Sequence, residues 1–106
     1  MPKYLLEARY APEGVKGVAA KGGSARRDAI APVFEAAGGR LEAFYFAFGE
    51  TDAYVLGDLP SNEAATAIAL AVNAQGAASV KTVVLLTPEE VDSAAEISLE
   101  YRPPGS

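Results

Sequence analysis

The stretch Gly22-Gly23-Ser24-Ala25-Arg26-Arg27 has residue types and spacing suited to holding an anion. Two glycines lead into a helix start, where backbone N–H groups without intrahelical partners point outward and favour negative charge. Ser24 is expected to cap that helix and to offer a hydroxyl. Two arginines in a first turn sit unfavourably beside the positive end of the helix dipole. A bound phosphate, sulfate or ligand carboxylate removes the conflict, and a guanidinium fork suits such groups. The third helical position lies above the cap, so Arg27 is the expected contact, and Arg26 is expected to pair outward with acids. The alternative is a plain cap whose surface arginines pair with Asp28, Glu42 or a neighbouring subunit.

Asp52 follows a glycine turn at the start of a strand. In a mostly apolar cleft it could act as a general base. Otherwise it hydrogen-bonds the backbone of its own turn. Tyr10, Tyr45 and Tyr54 either line a pocket or form amphipathic core edges. Glu7, Arg9 and Lys81 read as a cross-strand ion ladder, or as a polar catalytic floor. Gly14-Val15-Lys16-Gly17 matches the short loop of a KH domain, a weak signal on its own.

Composition narrows the chemistry further. The chain has 106 residues, with no cysteine and no histidine. Disulfides, thiolate nucleophiles, zinc fingers and Ser-His-Asp triads are excluded. Carboxylates alone, such as Asp52 and Asp58, show no metal-ligand spacing, so neither metal nor cofactor is expected. Nine basic and 14 acidic residues give a net charge of −5, which argues against nucleic acid as a partner. No apolar run approaches the ~20 residues of a membrane span. Without a signal-peptide pattern, the cytoplasm is the default expectation.

The elements that must position these residues follow from periodicity. Lys3 to Tyr10 alternates as a strand. Pro12 opens a short helix, with an acid beside it, that ends at Gly22-Gly23. Ile30, Val33, Phe34 and Ala37 follow the i, i+3, i+4, i+7 template of a second helix, with Pro32 inside it. Arg40 to Gly49 reads as a strand with Phe44, Phe46 and Phe48 on one face. Leu41, Ala43, Tyr45 and Ala47 would then line the other. Glu50-Thr51 makes a tight turn into a strand from Asp52 to Leu59. A third helix starts at Pro60-Ser61, capped by Ser61 or Asn62, and is apolar nearly all round, as expected of a helix covered on more than one side. Val80 to Leu86 is the fourth strand. Thr87-Pro88-Glu89-Glu90 is a capping box opening a last helix to about Ser98.

The order is β-α-β-β-α-β with an extra short helix after strand one and a C-terminal helix, an α+β ferredoxin-like pattern. Residues 1–106 read as one domain, with 99–106 an extended tail. A chain of this size buries about 65% of its unfolded surface, enough for a core without staples. Strands two to four are apolar on both faces, whereas a sheet covered on one side has a polar far face. A second subunit on that face is the simplest answer.

The sequence resembles the GYD domain family, a group of small proteins within the dimeric α+β barrel superfamily. The resemblance is carried by Tyr10-Ala11-Pro12-Glu13-Gly14-Val15-Lys16-Gly17, Gly22 to Arg27 and Leu41 to Gly49. It continues through Asp52, Lys81-Thr82, Leu86 to Glu90 and Tyr101-Arg102-Pro103-Pro104-Gly105. Thr51 stands where the naming motif has a tyrosine before the aspartate. The resemblance implies a ferredoxin-like monomer whose sheet packs on a partner's sheet; it implies no reaction.

The expected function is a homo-oligomeric small-ligand-binding module, with Ser24, Arg26, Arg27 and Asp52 as ligand-binding residues. The ligand would be a small anionic or aromatic compound. One alternative is a cofactor-independent monooxygenase- or isomerase-like enzyme acting on aromatic or polyketide-like compounds. Another is a structural assembly subunit, suggested by the alanine-rich third helix. The stretch from Leu99 to Pro104 is expected to be ordered against the body or a neighbouring subunit.

Overall fold

The computed structural model describes residues 1–105. The elements are β1 (Lys3–Tyr10), α1 (Pro12–Lys21), α2 (Gly23–Ala36), β2 (Arg40–Phe46), β3 (Ala53–Asp58), α3 (Asn62–Gln75), β4 (Ala78–Leu85) and α4 (Pro88–Ala95). The strands form one antiparallel sheet in the order β2-β3-β1-β4. This is a ferredoxin-like α+β arrangement, as the element order implies.

The period of two in β1 sets the two faces. Tyr4, Leu6 and Ala8 are buried on the helix side, opposite Gly57, Val55 and Ala53 of β3. Phe34 of α2 and Ile68 of α3 close the core over them, with Leu59 at the end of β3. Phe34 lies so close to Gly57 that a side chain there would collide with its ring. Tyr4 is 1% exposed, and its hydroxyl donates to Asn62 Oδ1 at 2.6 Å. Asn62 is exposed, so water can replace its partner. Tyr4→Phe is therefore expected to cost about 1 kcal/mol, within the usual range for one hydrogen bond. A lowered urea midpoint with an unchanged circular dichroism spectrum would show it; an unchanged midpoint would mean that the bond contributes nothing net.

Several boundaries differ from those read in the sequence. β2 ends at Phe46, and Phe48 has a positive φ of 52° in the loop beyond. A register shift between Leu41 and Ala43 marks a bulge in β2. The extra residue moves Leu41 to the core side with Phe44, instead of beside Ala43 and Tyr45. Ser61 caps α3, accepting from the Ala64 N–H. This chain buries only Ala65 and Ile68 of α3, so the helix is covered on one side, and Leu70 is 67% exposed.

The Thr87–Glu90 capping box forms, with its two hydrogen bonds at 2.9 and 3.1 Å. The helix it opens ends at Ala95, short of Ser98, and buries no residue. Residues 86–105 are exposed throughout. The Cα radius of gyration is 16.8 Å, against about 13 Å for a compact chain of this length.

Candidate functional site

α1 and α2 are joined through Gly22 alone. Its φ of 89° turns the chain, and its N–H donates to the Val18 carbonyl at 2.7 Å. α2 therefore starts two residues earlier than a Ser24 cap implies. Gly22 is its N-cap, and Ser24, expected to be the cap, is an exposed second helical residue without a capping hydrogen bond. Gly23 takes the first position because the Phe46 ring lies against it; a Cβ there would meet that ring at 2.8 Å.

A cleft of about 320 Å³ opens between α1, the first half of α2 and the β4 start at Ala77–Ala78. Its walls are mostly small and apolar, among them Gly14, Val18, Ala25 and Ala29, with Glu13, Lys21 and Arg26 as charged groups. Gly14 is required by its packing, since a side chain would collide with the Ala77 carbonyl. That carbonyl accepts from the Ala11 N–H at 2.9 Å and fixes α1 against the sheet end.

Arg26 is the central group of the cleft. Its Cζ lies 5.9 Å from the centre of the Tyr10 ring, within cation–π range. Its Nε is buried and has no hydrogen-bond partner. Arg26 also lines a smaller void of about 30 Å³ beneath, among Leu6, Phe34, Ile68 and other core side chains. Arg27 points elsewhere: it is 55% exposed and bonds Asp28 Oδ1 through Nε at 3.2 Å. It is Arg26, and not the expected Arg27, that lines the cleft, while Arg27 pairs outward with an acid. Helix geometry gives the reason. The stripe of Ile30, Val33, Phe34 and Ala37 is centred about 30° from Arg26 and about 70° from Arg27. Arg26 extends the core-facing stripe by one turn, a signal present in the sequence.

Asp52 does not join this cleft. Its Oδ2 accepts the Tyr10 N–H at 2.8 Å, and its carbonyl accepts the Ala47 and Phe48 N–H groups. Its own N–H donates to the Ala8 carbonyl. It ties the β2–β3 loop to the end of β1. Of the four candidate residues, only Arg26 lines the cleft. Tyr10 joins it there, and Glu13 and Lys21 are lining residues that the sequence reading did not single out.

The open sheet face carries Leu5, Leu56 and Val83 near its centre and Leu85 beside Lys3, with Tyr45 70% and Tyr54 37% exposed. At one end Lys3 Nζ binds Glu42 Oε1 and Asp58 Oδ1, each at 2.9 Å. The Asp58 carboxylate, and then that of Glu42, hold the Lys3 ammonium above its ordinary pKa of 10.5. At the other end Glu7 stands opposite Lys81 in register. No ion pair joins them; instead the Thr51 hydroxyl donates to Glu7 Oε1 at 3.3 Å. Thr51 is the residue at the departure from the family motif.

Among the described residues no cluster of three or more His, Cys, Asp or Glu side chains could hold a metal ion. No helix among them is long and apolar enough to cross a membrane. Comparison with curated proteins and with solved structures found no match. The sequence pattern of the GYD domain matches residues 4–95, which span every element from β1 to α4. By that match the chain belongs to the GYD domain family.

Proposed function

We propose that the protein is a small-ligand-binding module that works as a homodimer, and that its ligand is a small acid with an apolar body seated in the α1–α2 cleft. The observation that carries this reading is Arg26. A guanidinium within cation–π distance of Tyr10, with a buried and unpartnered Nε, lines a mostly apolar cleft. Buried donors without partners are rare, and a ligand acid is the group that a guanidinium fork fits best. The cleft volume lies at the small end of the range for ligand pockets. Lys21 adds a second cation, outweighing Glu13.

The dimer is supported by the apolar open face of the sheet and by the total surface. The chain exposes 7261 Å², about 1,700 Å² more than a compact monomer of its mass. A stable pair covers about 800 Å² on each partner.

Titration with benzoate and with inorganic phosphate, read by thermal shift and by calorimetry, tests the ligand reading. Binding to the native state raises the melting temperature. Arg26→Ala is expected to weaken benzoate binding by about tenfold or more, the loss of one charge-assisted contact. Arg27→Ala is expected to leave it unchanged. No binding of either anion at millimolar concentration, or equal binding by the Arg26→Ala variant, would overturn the reading.

A further inference from the structure

We propose that residues 87–102 form an arm that each chain lays on a second copy, with the segment from Ile97 to Arg102 added as a strand to the outer edge of the partner's β4. The inference rests on the homodimer reading and specifies how the two chains hold each other. The arm has the composition of a buried segment and the surroundings of none. Ile97, Leu99 and Tyr101 are 66%, 83% and 76% exposed, and Val91 of α4 is 51% exposed. Ile97, Leu99 and Tyr101 alternate with Ser98, Glu100 and Arg102, the period of two of a half-buried strand. Among the described residues no backbone hydrogen bond involves residues 98–102. The eight residues of α4 bury nothing in their own chain, and a helix this short is marginal without a packing surface.

The sheet has two edges, β2 and β4. The β2 edge is interrupted by the bulge between Leu41 and Ala43, a device that discourages pairing. The β4 strand runs eight residues from Ala78 to Leu85 in continuous register with β1. It has no proline, and Val84 is 51% exposed. Such an edge is a template for another strand. On the open sheet face, between the start of β4 and the β2–β3 loop, lies a polar groove of about 350 Å³, lined by Arg9, Lys81, Glu7 and Glu50 among others. Arg9 and Lys81 are exposed and have no ion-pair partner among the described residues. The arm carries Glu89, Glu90, Asp92, Glu96 and Glu100 against the single base Arg102. Its acids suit Lys81, which stands on β4 itself, with Arg9 on the next strand adding to the positive charge at that end. A second copy is the occupant that supplies both the unpaired edge and the arm.

The dimer dissociation constant would be measured by sedimentation for the full chain, for Leu99→Asp/Tyr101→Asp, for the chain ended after Ala95, and for Leu56→Asp on the open sheet face. Both arm variants are expected to raise the constant at least tenfold without changing the circular dichroism of the sheet. Because the chain has no cysteine, a photocrosslinker on Tyr101→Cys reports the contact directly. It is expected to join two chains and to label residues 78–85. Crosslinks confined to one chain, an unchanged constant in both arm variants, or a monomeric full chain would overturn the proposal. If Leu56→Asp alone breaks the dimer, the sheet-face reading stands and the arm falls. If the arm variants alone break it, the reverse holds.

Discussion

Phe34→Ala is expected to leave the protein at the edge of unfolding at 25 °C. Phe34 is fully buried and is the only buried residue of α2. Its ring rests where Gly57 leaves room for it, and Gly57 belongs to β3, which is paired on both sides by β2 and β1. The sheet backbone cannot move in to fill the void without breaking those ladders. Truncating a buried phenylalanine costs roughly 3–5 kcal/mol, more where the site cannot collapse. Small domains have a total stability of about 5–15 kcal/mol, so this is a large share. With a urea slope of about 1–3 kcal/mol per molar, the midpoint should fall by more than 1 M. A fall of less than about 0.5 M would mean that α2 seats on the sheet without its ring.

The ring's role is legible in the sequence because α2 has one apolar stripe and a polar remainder, so the period of 3.6 identifies its face. The same test has no power in β2. Leu41, Ala43, Phe44, Tyr45 and Phe46 are apolar on both sides of the alternation, so the pattern cannot show where the register slips. The bulge that turns Leu41 into the core is fixed by its partners on β3, which a reading of β2 alone does not contain. The overrun of β2 into Ala47 and Phe48 has the same cause: the apolar run continues after the ladder has stopped. Ile97 likewise extends the apolar pattern past the end of α4, although the helix stops at Ala95.

The site was legible as a segment but not in its details. Glycines followed by two arginines pointed to the start of α2, which does border the cleft. The cap moved from Ser24 to Gly22 because Phe46, more than twenty residues away in sequence, crowds Gly23. The phase of the helix relative to Phe34 separates Arg26 from Arg27, whereas distance from a Ser24 cap favours Arg27. Asp52 had two local readings. Its side chain accepts from the backbone of Tyr10 on a neighbouring strand, and not from within its own turn.

Leu56→Asp is expected to dissociate the proposed dimer while leaving each subunit folded. Leu56 lies at the middle of the open face, opposite Leu5 of β1 and Ala43 of β2. It faces away from the core formed by Val55, Leu6 and Phe34. A carboxylate there remains solvated in a monomer, so the core loses nothing. Between two sheets, the same change removes apolar burial of roughly 2 kcal/mol and introduces a charge with no partner. A two-fold interface contains each substitution twice. The apolar loss alone therefore reaches about 4 kcal/mol, nearly a thousandfold in the dissociation constant, before the charge is counted. Leu70→Asp provides the contrast. Leu70 is 67% exposed on α3, away from the sheet face, and its substitution should leave the dimer intact. Sedimentation of both variants across micromolar concentrations separates the faces. If Leu70→Asp dissociates the pair and Leu56→Asp does not, the subunits meet through α3, and the open sheet face has another occupant.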